Sequence, residues 1–133
     1  MALRVVEQAG LTDVGRQREA NEDNLVLAEP VFAVADGMGG ARAGEVASRV
    51  AAETFRDARD PAETPERQLA AVVRAANRRI YDLAQSDESR RGMGTTLTAT
   101  MVAGDAVSIG HVGDSRAYRL RDGDLAQITQ DHS

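Results

Sequence analysis

The sequence predicts an α+β fold in which helices pack on antiparallel strands. Short apolar strands come first, two helical stretches then follow each other directly, and consecutive strands joined by tight turns fill the second half. Strict alternation of strand and helix, which would indicate a parallel doubly wound sheet, is not seen. With 133 residues, 42% of them hydrophobic and 28% charged, the chain is long enough for one domain with its own core.

The first part of the chain supplies three predicted strands. A short strand is expected over residues 4–8. Two more, over 25–28 and 31–35, are separated only by Glu29-Pro30, which predicts a tight turn between them.

Two helices are predicted next. Apolar residues recur at helical spacing over 44–59, and the prolines within 60–65 end that helix. A second helix is predicted over 65–85, with Pro65 in the favoured first position. Its apolar face is formed by Leu69, Val72, Val73, Ala76, Ile80 and Leu83.

The second half of the chain reads as consecutive strands. Residues 95–103 alternate threonine with apolar side chains, which is typical of a half-buried strand, and a Gly-Asp turn leads into a strand over 106–112. Strands over 116–121 and 125–129 flank the Asp-Gly-Asp segment at 122–124, a strong hairpin signal.

Composition excludes several classes of function. The net charge is −5, all 16 basic residues are arginine, and aromatic residues are only 3% of the chain, so neither duplex nor single-stranded nucleic acid is an expected partner. Without cysteine and with only His111 and His132, a bound metal is expected to be held by oxygen, which favours Mg²⁺, Mn²⁺ or Ca²⁺.

Targeting signals are also missing from the sequence. The first ten residues lack the charged start and apolar run of a signal peptide, and no stretch approaches the ~18 apolar residues of a membrane span. No membrane partner is therefore expected, and the expected location is the cytoplasm.

The segment Asp-Gly-Met-Gly-Gly at 36–40 is the most informative one. A strand that ends in Asp36 would hold its carboxylate rigidly, and the Gly37 carbonyl beside it could supply a second oxygen to a hard cation. Because Phe32, Val34 and Asp36 share a face, Asp36 is expected at the rim of the core. An ordinary Asp-Gly turn between strand and helix explains the spacing equally well.

The charged segment 18–24 offers further candidates. Arg18 could grip two phosphate oxygens, and Glu22 and Asp23 are adjacent carboxylates. Adjacent residues of a regular strand point to opposite faces, so both can serve one site only if the chain bends or if one acts through water or the backbone. By itself the segment is better explained as a solvated loop.

Two glycine-containing segments follow. Residues 92–96 could form an anion-binding nest, although close packing is the favoured interpretation. In the segment 111–116, a catalytic triad of His111, Asp114 and Ser115 is rejected because the residues are too close in sequence for the relay geometry. Asp114 is better explained as a second carboxylate at a strand end, with Ser115 and Arg116 fixing the local turn.

Together these segments resemble the metal-dependent protein phosphatase family, of the protein phosphatase 2C type, in its bacterial form. Each motif is weak alone, but four in this order are highly specific, and the match covers essentially the whole chain. The matching stretches are residues 12–24, 36–40 with 44–48, 92–96, and 111–116 running on to 129–133.

The resemblance implies a four-layer αββα sandwich of two antiparallel sheets flanked by helix pairs, and hydrolysis of phosphoserine and phosphothreonine in proteins. It implies two or three Mn²⁺ or Mg²⁺ ions that activate water. Asp36 would bridge two ions, the Gly37 carbonyl and Glu22 would ligate one of them, and Asp23 would orient a metal-bound water. Arg18 would bind the substrate phosphate, and Asp114 would contribute to a third, weaker site. Phosphorylated proteins, and a serine/threonine kinase acting on them, are the implied partners.

Two departures from the family pattern accompany the resemblance. Met38 occupies a position where some members have a histidine proposed as a general acid. The family's domain is nearly twice as long and carries two more metal-binding aspartates, so residues 1–133 are expected to be the N-terminal portion of a single domain, with little or no activity alone. The alternatives are a non-catalytic module that binds a phosphorylated partner and a structural Ca²⁺-binding domain.

Overall fold

The computed structural model describes residues 2–16, 20–40 and 42–132. Seven strands, two α-helices and a short 3₁₀-helix follow one another in these parts of the chain. They are β1 Asp23–Ala28, β2 Val31–Met38, α1 Ala43–Asp57, α2 Pro65–Ser86, the 3₁₀-helix Glu88–Arg90, β3 Gly94–Thr95, β4 Leu97–Ala103, β5 Ala106–Val112, β6 Tyr118–Arg121 and β7 Asp124–Gln127.

Strands β1, β2, β4 and β5 form an antiparallel sheet in that spatial order, and β3 pairs with the end of β2. Val31 lies opposite Met101 in the β2–β4 pair, and Gly37 lies opposite Thr95 in the same register. Strands β6 and β7 form a separate two-stranded sheet. The predicted α+β class is confirmed.

Both long helices pack on one face of the main sheet. Along β2, residues 31, 33, 35 and 37 are buried, while the residues between them are half-buried or exposed. Helix α1 contacts this face mainly through small side chains, of which Ala47 and Ala51 are completely buried. Small residues on both surfaces bring helix and sheet close together. The opposite face carries Phe32 and the 47%-exposed Val34.

Most predicted elements are present, with shifted ends. Helix α2 and strand β5 lie where they were expected, and α1 begins and ends slightly earlier than predicted. Strand β2 does not end at residue 35 but continues to Met38, because β1 and β3 pair with its last residues. The Asp-Gly turn considered for Asp36 and Gly37 is therefore wrong.

The strand predicted over 4–8 is also wrong. Residues 2–10 contain no strand, and the main-chain hydrogen bond that anchors this segment runs from Leu3 N–H to the Gly104 carbonyl at 2.6 Å. An alternating pattern becomes a strand only where a neighbouring strand completes the ladder, and no described strand lies along residues 4–8.

The predicted hairpin around Asp122 and Gly123 is confirmed as β6–β7. Both residues have positive φ angles, 52° and 81°, as a two-residue type I′ turn requires. The strands flanking this turn are largely exposed. The ends of the hairpin are joined by an ion pair, in which Arg116 Nη2 lies 2.7 Å from Asp131 Oδ2 and Arg116 Nε donates to Asp131 Oδ1 at 3.0 Å.

The Arg116–Asp131 pair predicts a specific pH dependence. Hydrogen bonds from Arg116 hold the pKa of Asp131 below its ordinary value. A depressed carboxyl pKa contributes stability that is fully present above the unfolded pKa of about 3.9 and is lost as the pH falls through the lower folded value. Arg116→Gln is expected to raise the pKa of Asp131, measured by carboxyl ¹³C NMR titration, whereas Arg119→Gln on the same hairpin is expected to leave it unchanged. An unaltered Asp131 titration in Arg116→Gln would contradict the assignment.

Candidate metal centre

Two candidate carboxylates face each other across the β1–β2 pair. Asp23 lies directly opposite Asp36. Gly37 N–H donates to the Glu22 carbonyl at 3.0 Å, so Glu22 and Gly37 form a hydrogen-bonded pair and the neighbouring Asp23–Asp36 pair is of the non-hydrogen-bonded type. Side chains approach most closely in such pairs, and like charges directly opposite each other destabilise a sheet. A cation bound between the two aspartates would offset that repulsion.

Glu22 immediately precedes β1, and its side chain lies on the face of the sheet that α1 covers. A Cβ atom built on Gly44, in the first turn of α1, would lie 2.5 Å from Glu22 Oε2, which places the Glu22 carboxylate against the helix N-terminus. The positive end of the helix dipole favours a negative charge there. Because the N–H and C=O of one strand residue point to the same side, the Gly37 carbonyl faces Glu22.

A cavity of about 230 Å³ opens beside the aspartate pair. Its lining includes three carboxylates, those of Asp13, Asp23 and Asp36, together with Ser115 from the segment after β5. Asp13 was not predicted as a site residue. Its side chain accepts the Gly15 N–H at 2.8 Å, which fixes a local turn and keeps the carboxylate at the cavity.

Asp114 is separated from this cavity. It is exposed, lies two residues beyond the end of β5, and is not among the residues that line the cavity. Its neighbours Gly113 and Ser115 both contact Thr96, the residue next to β3 that bonds to Asp36. Asp114 is therefore connected to the Asp36 strand end through its chain neighbours.

The predicted site residues are thus only partly assembled. Asp23 and Asp36 come together at the cavity, and Glu22 and Gly37 adjoin each other on the side of α1. Arg18 lies outside the described residues. Within residues 2–16, 20–40 and 42–132, no three carboxylate or imidazole side chains converge on a formed metal site.

The chemistry of these donors nevertheless fits a hard divalent cation. The groups available around Asp36 are carboxylate oxygens and a main-chain carbonyl, the ligands that Mg²⁺ and Mn²⁺ prefer. The start of β1 and the end of β2 carry them, and the first turn of α1 packs against the Glu22 carboxylate. The expectation that Asp36 lies at the rim of the core is wrong, because the alternation along β2 turns residues 31, 33, 35 and 37 toward the helices and places Asp36 on the opposite sheet face.

The alternatives considered for the other motifs are also resolved by contacts. His111 Nδ1 lies 2.8 Å from Thr98 Oγ1 and its Nε2 donates to the Gln130 carbonyl at 3.0 Å, so both ring nitrogens are engaged away from Ser115. This contradicts a triad, as expected. A Cβ atom on Gly94 would lie 3.1 Å from Met38 Cε, which agrees with close packing in the segment 92–96.

Fold similarity defines the class of protein. The catalytic domain of the serine/threonine protein phosphatase PstP, solved in complex with two manganese ions, superimposes with a TM-score of 0.86 and 42% sequence identity. The match covers 91% of this chain and 54% of that one. At this identity and score, the chain has the fold of the corresponding part of a PPM-type phosphatase domain, which confirms the predicted sandwich class.

The family follows from sequence comparison. The chain belongs to the protein phosphatase 2C family, whose sequence model matches residues 16–133. It is 44% identical over 129 residues to the serine/threonine protein phosphatase PstP of Mycobacterium tuberculosis, covering 96% of this chain and 25% of that protein. It is also 44% identical over 133 residues to the serine/threonine phosphatase stp of Listeria welshimeri, covering 92% of this chain and 53% of that protein. The chain thus spans about half or less of the length of these relatives.

Neither α1 nor α2 resembles a membrane-spanning helix. In the part of the chain that the structure describes, no helix combines the length and the apolar character that crossing a bilayer requires.

Proposed function

We propose that residues 1–133 form the N-terminal portion of a single metal-dependent protein phosphatase domain, which hydrolyses phosphoserine and phosphothreonine esters in proteins. The observation that carries this proposal is the direct cross-strand pairing of Asp23 with Asp36, beside a cavity that Asp13 also lines. Membership of the protein phosphatase 2C family and the similarity to phosphatases named for serine and threonine support it.

Each candidate residue has a proposed role in that reaction. Asp36 would be shared by two Mn²⁺ or Mg²⁺ ions, Glu22 and the Gly37 carbonyl would hold one of them, and Asp114 would contribute to a third. Bound divalent ions supply charge neutralisation on the phosphoryl group and lower the pKa of the attacking water. The two manganese ions of the related PstP structure support this choice of metal.

The protein's own groups then handle the water and the phosphate. Asp23 is beside Asp36 and orients the attacking water through its carboxylate. Arg18 binds two oxygens of the substrate phosphate through its planar guanidinium. Met38, 64% exposed, has no proton to donate and cannot act as a general acid for the leaving alkoxide.

The test is a direct assay. The protein as its gene encodes it is expected to release phosphate from a phosphothreonine peptide with Mn²⁺ present and to lose that activity in a chelator. Residues 1–133 alone are expected to turn over the peptide weakly or not at all, because they match only 25% and 53% of the length of the related phosphatases. Equal turnover by the two polypeptides would contradict the assignment of residues 1–133 as a portion of the domain.

The proposal extends to partners and place of action. Phosphorylated proteins are the substrates, a serine/threonine kinase supplies the phosphate groups, and the reaction takes place in the cytoplasm. A gene-encoded protein that binds the phosphothreonine peptide without hydrolysing it, with Mn²⁺ present, would instead indicate the non-catalytic alternative.

A further inference from the structure

The main-chain amide of Asp36 is bonded to a side chain rather than to a neighbouring strand. Asp36 N–H donates to Thr96 Oγ1 at 3.0 Å, while Thr96 N–H donates to the Asp36 carbonyl at 2.9 Å. In an ordinary hydrogen-bonded pair of an antiparallel sheet, both bonds join main-chain atoms. Thr96 therefore holds both main-chain polar groups of Asp36, the N–H through its hydroxyl and the carbonyl through its own N–H.

The same hydroxyl also contacts the segment that carries Asp114. Thr96 Oγ1 lies 2.7 Å from Ser115 Oγ. On the other side of Asp114, Gly113 has a φ of +106°, and a Cβ atom there would lie 2.6 Å from Thr96 Cγ2. Both chain neighbours of Asp114 are thus packed on Thr96.

A hydroxyl group has one proton and two lone pairs, so the contacts with Asp36 and Ser115 use most of its hydrogen-bonding capacity. A valine has the same shape as threonine but can make neither bond. Thr98, two residues after Thr96 and within β4, has different partners: its hydroxyl lies 2.8 Å from His111 Nδ1 and donates to the Ser115 carbonyl at 3.5 Å.

We propose that Thr96 is a positioning residue of the metal centre, which fixes Asp36 and Asp114 relative to each other through the Thr96–Ser115 hydroxyl pair. The proposal rests on the proposed function in one respect, namely that Asp36 and Asp114 bind divalent cations. Thr96 itself touches neither substrate nor metal; it acts through the main chain of Asp36 and through Ser115.

The first test uses metal-free protein and needs no activity. Thr96→Val is expected to speed amide hydrogen exchange at Asp36 about fivefold to tenfold, the effect of losing one hydrogen bond. Thr96→Ser keeps the hydroxyl and is expected to restore most of the protection. The matched control is Thr100→Val in β4, four residues further along the chain, whose Oγ1 lies 3.5 Å from the Phe32 carbonyl. It is expected to leave Asp36 exchange unchanged.

The second test measures Mn²⁺ affinity in the gene-encoded protein by electron paramagnetic resonance of the free ion. Thr96→Val is expected to weaken binding about tenfold or more, as is usual when a group that orients metal ligands is removed. Ser115→Ala removes the same hydroxyl pair from the other side. It is expected to weaken the binding of only one ion, the one whose binding Asp114→Asn also weakens. Ser115→Ala also tests the proposal if Thr96→Val does not fold.

The results separate this proposal from the proposed function. Thr96→Val with the exchange rate and Mn²⁺ affinity of Thr100→Val would overturn the role of Thr96, and so would a Ser115→Ala protein that binds all its ions normally. Failure of the unmodified protein to bind Mn²⁺ would overturn the proposed function itself, and would be seen before any variant is made.

Discussion

Asp36→Asn is expected to reduce Mn²⁺-dependent turnover of a phosphothreonine peptide by about a thousandfold or more. An amide oxygen carries no net charge and could not replace the carboxylate in its proposed role between two cations. The loss of several kcal/mol of charge stabilisation in the transition state corresponds to about three orders of magnitude in rate. Initial rates with saturating Mn²⁺, measured on the protein as its gene encodes it, give the comparison.

Asp105→Asn is the matched control for this change. Asp105 is an exposed aspartate in the turn between β4 and β5, at the end of the sheet away from Asp36. The same chemical replacement there is expected to leave turnover unchanged. The thermal midpoint of the Asp36→Asn protein should also lose its dependence on Mn²⁺. Turnover close to that of the Asp105→Asn protein would remove Asp36 from the metal centre.

Gly37→Ala is expected to destabilise the fold by more than about 3 kcal/mol, or to prevent folding. A Cβ atom on Gly37 would overlap the Gly44 carbonyl oxygen and lie 2.5 Å from the Gly44 carbonyl carbon. Both obstructing atoms are main chain and cannot rotate away, so the first turn of α1 would have to separate from β2. Overpacking of a tight contact typically costs 1–3 kcal/mol, and it costs more where the backbone must move.

Gly40→Ala tests whether the effect comes from this contact. Gly40 lies in the loop between β2 and α1, and a Cβ atom there would meet nothing within 4 Å. In urea unfolding at equal protein concentration, the midpoint of Gly40→Ala is expected to be close to that of the unmodified protein. The midpoint of Gly37→Ala is expected to be far lower. Equal midpoints for the two variants would show that strand and helix are not in direct contact.

Local signals predicted the elements that depend on local chemistry. Helix α2 begins as expected because Pro65 occupies its first turn and the Thr64 side chain accepts the Arg67 N–H. The β6–β7 turn formed because Asp122 and Gly123 both tolerate positive φ. The predicted end of β2 was wrong because residues 36–38, which favour turns, belong to a strand where β1 and β3 pair with them. Such pairing depends on partners distant in sequence.

The candidate site was predictable only in part for the same reason. Asp36 has a local signal, since a carboxylate followed by glycines after an apolar run is unusual. Its pairing with Asp23 depends on register, and the contribution of Asp13 depends on the path of the N-terminal segment. Thr96 had no signal of its own, because a threonine in an alternating strand is ordinary. Its importance follows from its position opposite Asp36, 60 residues away in sequence.

The way α1 contacts the sheet has a consequence for motion in this part of the molecule. Its buried residues are Ala43, Gly44, Ala47, Ser48, Ala51, Thr54 and Phe55. Alanine and glycine lose no rotamer freedom when they are buried, and for that same reason they have no alternative rotamers with which to fill a gap. The alanine and glycine part of this interface therefore has little means of filling a gap if the helix shifts. Because the Glu22 carboxylate lies against Gly44, a translation of α1 would also change the surroundings of that carboxylate.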